Sequence, residues 1–122
     1  MITHEVDTER ELTVHTCRGI MAAEDLISAI QALYDSVPTH HHLWDLTEAD
    51  LSHVTGQDVR EIAEFPTRYA PARVGGKTAI VSPSDAAFGL ARMYEARAEL
   101  AGQKATIRVF RSLGEANAWL GV

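Results

Sequence analysis

The apolar pattern of this chain changes period along its length, and it does so in alternation. Glu11 to Arg18 alternates, with Leu12, Val14 and Thr16 on one side and Thr13, His15 and Cys17 on the other. That period of two is the mark of a strand. Ala22 to Val37 places Leu26, Ile27, Ile30, Leu33, Tyr34 and Val37 at spacings of three and four, which makes one helical face. A short strand-like run, His42 to Leu46, comes next. It is followed by a helical segment with Val59, Ile62, Ala63 and Phe65 facing inward. Thr78 to Val81 is continuously apolar, as expected of a strand covered on both faces. Ala86 to Ala101 is rich in good helix formers, Ala105 to Phe110 reads as a strand, and Leu113 to Leu120 as a last helix with Ala116, Trp119 and Leu120 inward. Few folds accept such an alternation except a sheet with crossover helices.

The start of the chain adds one strand. Ile2 to Val6 alternates and is joined to the next run by the polar stretch Asp7 to Arg10, which predicts a hairpin. The expected order is ββαβαβαβα. This is an α/β fold with a mixed, mostly parallel sheet of about five strands, an antiparallel edge hairpin and about four helices. Punctuation supports it. Gly19 is expected to end the second strand, Pro38 the first helix, and Pro66 and Pro71 the second. Thr55 and Asp58 have capping-box spacing, Ser84 caps the third helix, and Gly102 follows it. The 122 residues amount to one domain, spanning 1–122, with 46% apolar residues to build its core.

Charge narrows the function classes. A net charge of −6 argues against nucleic acid and against charge-driven docking on an anionic membrane. No apolar stretch approaches the length of a membrane span, and Met1 to Asp7 does not read as a signal peptide. The single cysteine, Cys17, excludes an internal disulfide. A cytoplasmic location is the expectation.

Each candidate for chemistry has a plainer explanation. Gly76-Lys77-Thr78 resembles the end of a phosphate-binding loop, but a strand follows it where that motif needs a helix. In His40-His41-His42 only His40 and His42 share a face of an extended chain, so a metal would need His53, Glu48 or Asp50 as well. The plainer reading is a polar loop entering a strand, with no metal. Asp45, Glu48 and Asp50 follow a strand without a nucleophile or a lysine, and read as a turn-forming loop. Cys17 has no base at bonding range along its own strand and reads as structural. No catalytic residue and no cofactor is expected. The third helix is more suggestive, because it is apolar nearly all round. Phe88, Leu90, Met93 and Tyr94 are candidates for a second surface, either a partner contact, including self-association, or a site for an apolar small ligand.

Three segments carry a family resemblance: Leu43-Trp44-Asp45-Leu46, then Glu48 to Ser52, and above all Ala86-Ala87-Phe88-Gly89-Leu90-Ala91-Arg92-Met93-Tyr94-Glu95. The chain resembles the bacterial STAS-like, SpoIIAA-like family of small stand-alone domains, related to CRAL-TRIO domains, from Ile2 to Leu120. The resemblance implies a fold similar to anti-sigma-factor antagonists and, more remotely, to a lipid-carrying domain. It implies a non-enzymatic interaction or regulatory module that binds a protein partner. It also implies a phosphorylated Ser or Thr at the N-terminus of the helix after the third strand, within Asp-Ser-Ser/Thr-Gly. Here His53-Val54-Thr55-Gly56 stands there, so Thr55 is the candidate phospho-switch, with the preceding acid missing.

Overall fold

The computed structural model describes residues 1–35, 38–65 and 73–121. The elements follow the expected order: β1 (Ile2–Asp7), β2 (Leu12–Ile20), α1 (Ala23–Asp35), β3 (His41–Asp50), α2 (Gly56–Glu64), β4 (Lys77–Val81), α3 (Asp85–Leu100), β5 (Thr106–Phe110) and α4 (Leu113–Leu120). Five strands form one sheet in sequential order, β1-β2-β3-β4-β5. β1 is the antiparallel edge, and β2 through β5 run parallel. The fold is the mixed α/β arrangement that the periodicity implies. The stops at Pro66 and Pro71, the inward Val37 and the side chain of Tyr34 lie outside the described residues.

Sequential order explains where the helices go. Crossovers between neighbouring parallel strands are right-handed as a rule. Three crossovers advancing in the same direction therefore place α1, α2 and α3 on one face of the sheet. Ile80 and Ile107 pack there against Ala63 of α2 and Ala91 and Ala98 of α3. Only α4, after the last strand, returns to the opposite face. There Ala116 and Leu120 close over Leu12, Leu43, Ala79 and Val81, with Phe110 and Trp119 beside them. β4 contributes to both clusters, which is why its sequence is apolar without alternation.

Two strand boundaries differ from expectation, for one shared reason. β2 continues through Gly19 to Ile20, and β3 continues through the acidic stretch to Asp50. The two extensions pair with each other, Arg18 with Glu48, Gly19 with Ala49 and Ile20 with Asp50. A register shift between Thr16 and Arg18, of the kind a bulge makes, precedes them. Gly19 sits there at φ +79°, a conformation open to glycine at little cost. Asp45, Glu48 and Asp50, expected in a loop, thus all lie on β3.

Candidate functional site

A doubly wound sheet places ligands where strand order reverses. Sequential order has no reversal, and an apolar hollow lies elsewhere, between the sheet and the helices above it. Leu26, Ile30 and Leu33 of α1 form one wall, at helical spacing. Val59 and Ile62 of α2 and Leu90, Ala91 and Tyr94 of α3 form the others. Trp44, Leu46, Thr78 and Ile80 make the floor, and Leu51, Val54, Arg73 and Gln103 stand at the rim among the described residues. The cleft is half open, with a cavity volume of about 100 Å³. It is smaller than the roughly 300–1,000 Å³ of drug-sized pockets. It approaches the roughly 150 Å³ apolar cavity that accepts a benzene ring.

Polar groups gather at one end of this cleft. Arg73 is buried, and its guanidinium donates from Nε to the His40 carbonyl at 2.9 Å and from Nη2 to Thr78 Oγ1 at 2.6 Å and the Lys77 carbonyl at 3.2 Å. Gln103 Nε2 donates to the Ala63 carbonyl at 2.7 Å and to Tyr94 Oη at 3.4 Å. Arg73 and Thr78 sit where β4 begins, and Gln103 where the chain enters β5.

Beneath α1 lies a second feature, a chain of three histidines. His4 Nδ1 meets His15 Nδ1 at 2.7 Å, His15 Nε2 meets His42 Nδ1 at 2.8 Å, and His42 Nε2 meets the Thr39 carbonyl at 3.1 Å. A carbonyl oxygen only accepts, and this assigns every proton. His42 donates to Thr39, His15 donates to His42, and His4 donates to His15. His15 and His42 are fully buried and stay neutral. Burial, then the nearby His4 and Arg73, bring His15 down to about 3. Burial, then Arg73 and His15, bring His42 down to about 2. Trp44 stacks on His15 with ring centres 4.0 Å apart. Such a chain joins three strands, and both interior rings are poor proton acceptors near neutral pH. His4, Thr13 and His15 also border a second half-open cleft, of about 220 Å³, against Ala29, Ala32 and Leu33 of α1.

The residues singled out in the sequence fare differently. Leu90 and Tyr94, one helical turn apart, line the apolar cleft. Phe88 instead lies under the Arg111 guanidinium, 4.1 Å from ring centre to Cζ, and Arg111 also bonds Asp85 at 2.6 Å. Met93 is 40% exposed and lies near Gly56. The four therefore form no single surface. Thr55 is exposed and caps α2: its Oγ accepts from the Asp58 N–H at 3.1 Å, while the Asp58 carboxylate accepts from the Thr55 N–H at 2.9 Å.

The triple histidine is split by its strand. His42 points inward with both ring nitrogens engaged, and His41 Nδ1 accepts from the Lys77 N–H at 3.0 Å. Among the described residues, no three His, Cys, Asp or Glu side chains converge as a metal site. Asp45 and Asp50 accept hydrogen bonds from Thr47 and Ser52, and Glu48 pairs with Arg18 at 2.7 Å. Cys17 is fully buried, and burial pushes its thiol up to about 12. Among the described residues no helix is long and apolar enough to cross a membrane.

Two features escaped the sequence. An arginine in a loop before a strand is ordinary, and nothing local marks Arg73 as buried. The histidine chain did leave a signal. His15 shares the inward parity of Thr13 and Cys17, and the β2–β3 register sets Thr13 beside His42 and His15 beside Trp44.

No protein-family model matches the chain, and no curated protein matches it in sequence. Solved structures do match. One is an uncharacterized protein of the DUF3478 family with a SpoIIAA-like fold from Shewanella loihica PV-4, with TM-score 0.58 and 16% identity, covering 98% of this chain and 92% of that one. Another is the anti-sigma factor antagonist SpoIIAA in its unphosphorylated form, with TM-score 0.50 and 16% identity, covering 99% and 98%. The chain has the STAS, or SpoIIAA-like, fold.

Proposed function

We propose that this chain works by binding rather than by chemistry, as a STAS-type interaction or regulatory module whose binding site is the cleft under α1, α2 and α3. The observation that carries the reading is the lining. Among the described residues, sixteen line the cleft and twelve of them are apolar, drawn from three helices, two strands and the loop after β3, yet they leave a hollow open to solvent. Apolar side chains that can collapse on one another normally do so. A hollow kept by so many separate elements suits a ligand's apolar group better than a flat partner surface. Ligand occupancy would then bias how the module meets its protein partner. Native mass spectrometry after mild purification, with displacement of an environment-sensitive apolar dye, tests the site. A co-purifying small molecule, or dye displaced by short-chain apolar compounds and lost in Leu90→Trp, is the expected result. A clean apo mass together with no dye binding would end the reading.

A second reading makes Thr55 a phosphorylation switch. It is supported by the exposed Thr55 hydroxyl at the start of α2. A phosphate there would add nearly two charges at a helix N-terminus and face Asp58. If Thr55→Glu left the affinity for a captured partner unchanged, this reading would be lost.

A further inference from the structure

The outer edge of β1 offers a row of main-chain groups to solvent. Met1 and Arg18 exchange both of their hydrogen bonds, at 2.8 and 2.9 Å. Bonded pairs alternate along an antiparallel ladder, so Thr3, Glu5 and Asp7 are the residues of β1 that bond β2. Ile2, His4 and Val6 therefore turn their N–H and C=O groups away from it. No strand pairs with that edge among the described residues. Sheet edges are commonly guarded by lysine, proline or a bulge. β1 has none of the three: Ile2–Asp7 holds neither residue type, and its register with β2 runs unbroken. Thr3, His4, Glu5 and Val6 are exposed, and Val6, at 61%, borders the second half-open cleft, against α1.

The outward residues are self-complementary. In an antiparallel pair of β1 strands about a twofold axis through His4, Ile2 lies opposite Val6 of the second copy, His4 opposite its equivalent, and Val6 opposite Ile2. The outward groups of all three are then used, in about six hydrogen bonds. Ile2 and Val6 share a face by parity, so they meet as an apolar pair beside the cleft in each copy. On the other face Glu5 lies opposite Thr3, whose hydroxyl can donate to it. An axis through Glu5 instead would set two carboxylates against each other and carry Ile2 past the end of its partner strand. Hydrogen-bonding parity and charge together favour the axis through His4.

We propose that β1 is a docking edge for a second copy of this chain, joined antiparallel about a twofold axis through His4, so that two five-stranded sheets become one continuous sheet. The proposal does not depend on the apolar cleft under α1, α2 and α3.

Sedimentation velocity from micromolar to millimolar protein tests it, with thiol cross-linking to read the register. The expected species is a dimer in concentration-dependent exchange with monomer. Val6→Pro removes an outward N–H and leaves the bonds to β2, the one kind of place where an edge strand tolerates proline. It acts in both copies, so it should weaken the dimer about ten-fold or more with an unchanged circular dichroism spectrum. Thr3 and the second copy's Glu5 take facing, non-bonded positions, about 4.5 Å apart between Cα atoms and within reach of a disulfide. An equimolar mixture of Thr3→Cys and Glu5→Cys should therefore cross-link under mild oxidation far faster than either variant alone. Cys17 is fully buried and does not contribute. Glu5→Cys cross-linking alone as fast as the mixture, or a mixture that does not cross-link, overturns the proposed register. A dimer untouched by Val6→Pro overturns the interface. Monomer at every concentration overturns the proposal outright and leaves the edge to a strand of another protein. If Val6→Pro fails to fold, the cysteine mixture still decides.

Discussion

Acid should unfold this domain through its buried histidines before its carboxylates titrate. In the unfolded chain His15 and His42 take up protons near 6.5, whereas in the fold they stay neutral down to about 3 and about 2. The folded values are depressed, so the unfolded state binds more protons below pH 6.5. Stability is therefore fully present above that pH and is lost as pH falls below it, until the folded groups protonate in turn. Each histidine contributes about 1.4 kcal/mol per pH unit across that window. The pair together removes about 4 kcal/mol between pH 7.5 and pH 5.0, most of it below pH 6.5. That is a large part of the roughly 5–15 kcal/mol typical of a domain. His41, also held below its ordinary value by burial and by the charges of His40, Arg73 and Lys77, acts in the same direction. Urea unfolding at constant ionic strength, at half-unit steps from pH 7.5 to 5.0, measures the slope. The double variant His15→Leu/His42→Leu removes both titrations, and its slope should be far flatter whatever its stability at pH 7.5. A wild-type slope below about 1 kcal/mol per unit, or the same slope in the double variant, would refute the reasoning.

Three further tests address local structure. Thr55→Ala removes the α2 capping box and should cost about 1 kcal/mol in urea unfolding, while Thr55→Asp, which can still accept from the Asp58 N–H, should cost less. Gly76→Ala would drive a Cβ into the backbone carbonyl of His40, the same carbonyl that Arg73 holds, so about 2 kcal/mol or more should be lost; a neutral result would mean this approach is not tight. Cys17, fully buried and with its thiol pushed up to about 12, should react with a thiol reagent only as fast as the protein opens, and rapid native labelling would contradict its burial.

Much of the fold was legible because it rests on periodicity. The two faces of β2 are the two faces written in Leu12 to Cys17. The Thr55 and Ser84 caps form as their spacing implies. The errors came where pairing outweighed local signal. Gly19 read as a stop, yet the partner strand carried β2 across it, and Glu48 to Asp50 read as a loop for want of that partner. The site was less legible. Leu90 and Tyr94 share the apolar character of Phe88 and Met93 in the sequence, and only the positions of Arg111 and α2 separate the four.

By itself the sequence determined the class of fold: the order of strands and helices, the edge hairpin and the doubly covered β4. These follow from side-chain periods and turn residues that act over a few positions. Tertiary structure alone decided the order of strands in the sheet, and with it the three helices on one face and the hollow beneath them. It alone joined His4, His15 and His42 and brought Arg73 beside Thr78, Tyr94 and Gln103. Those residues are distant in sequence, and their meeting depends on strand register and crossover direction, which no local pattern encodes.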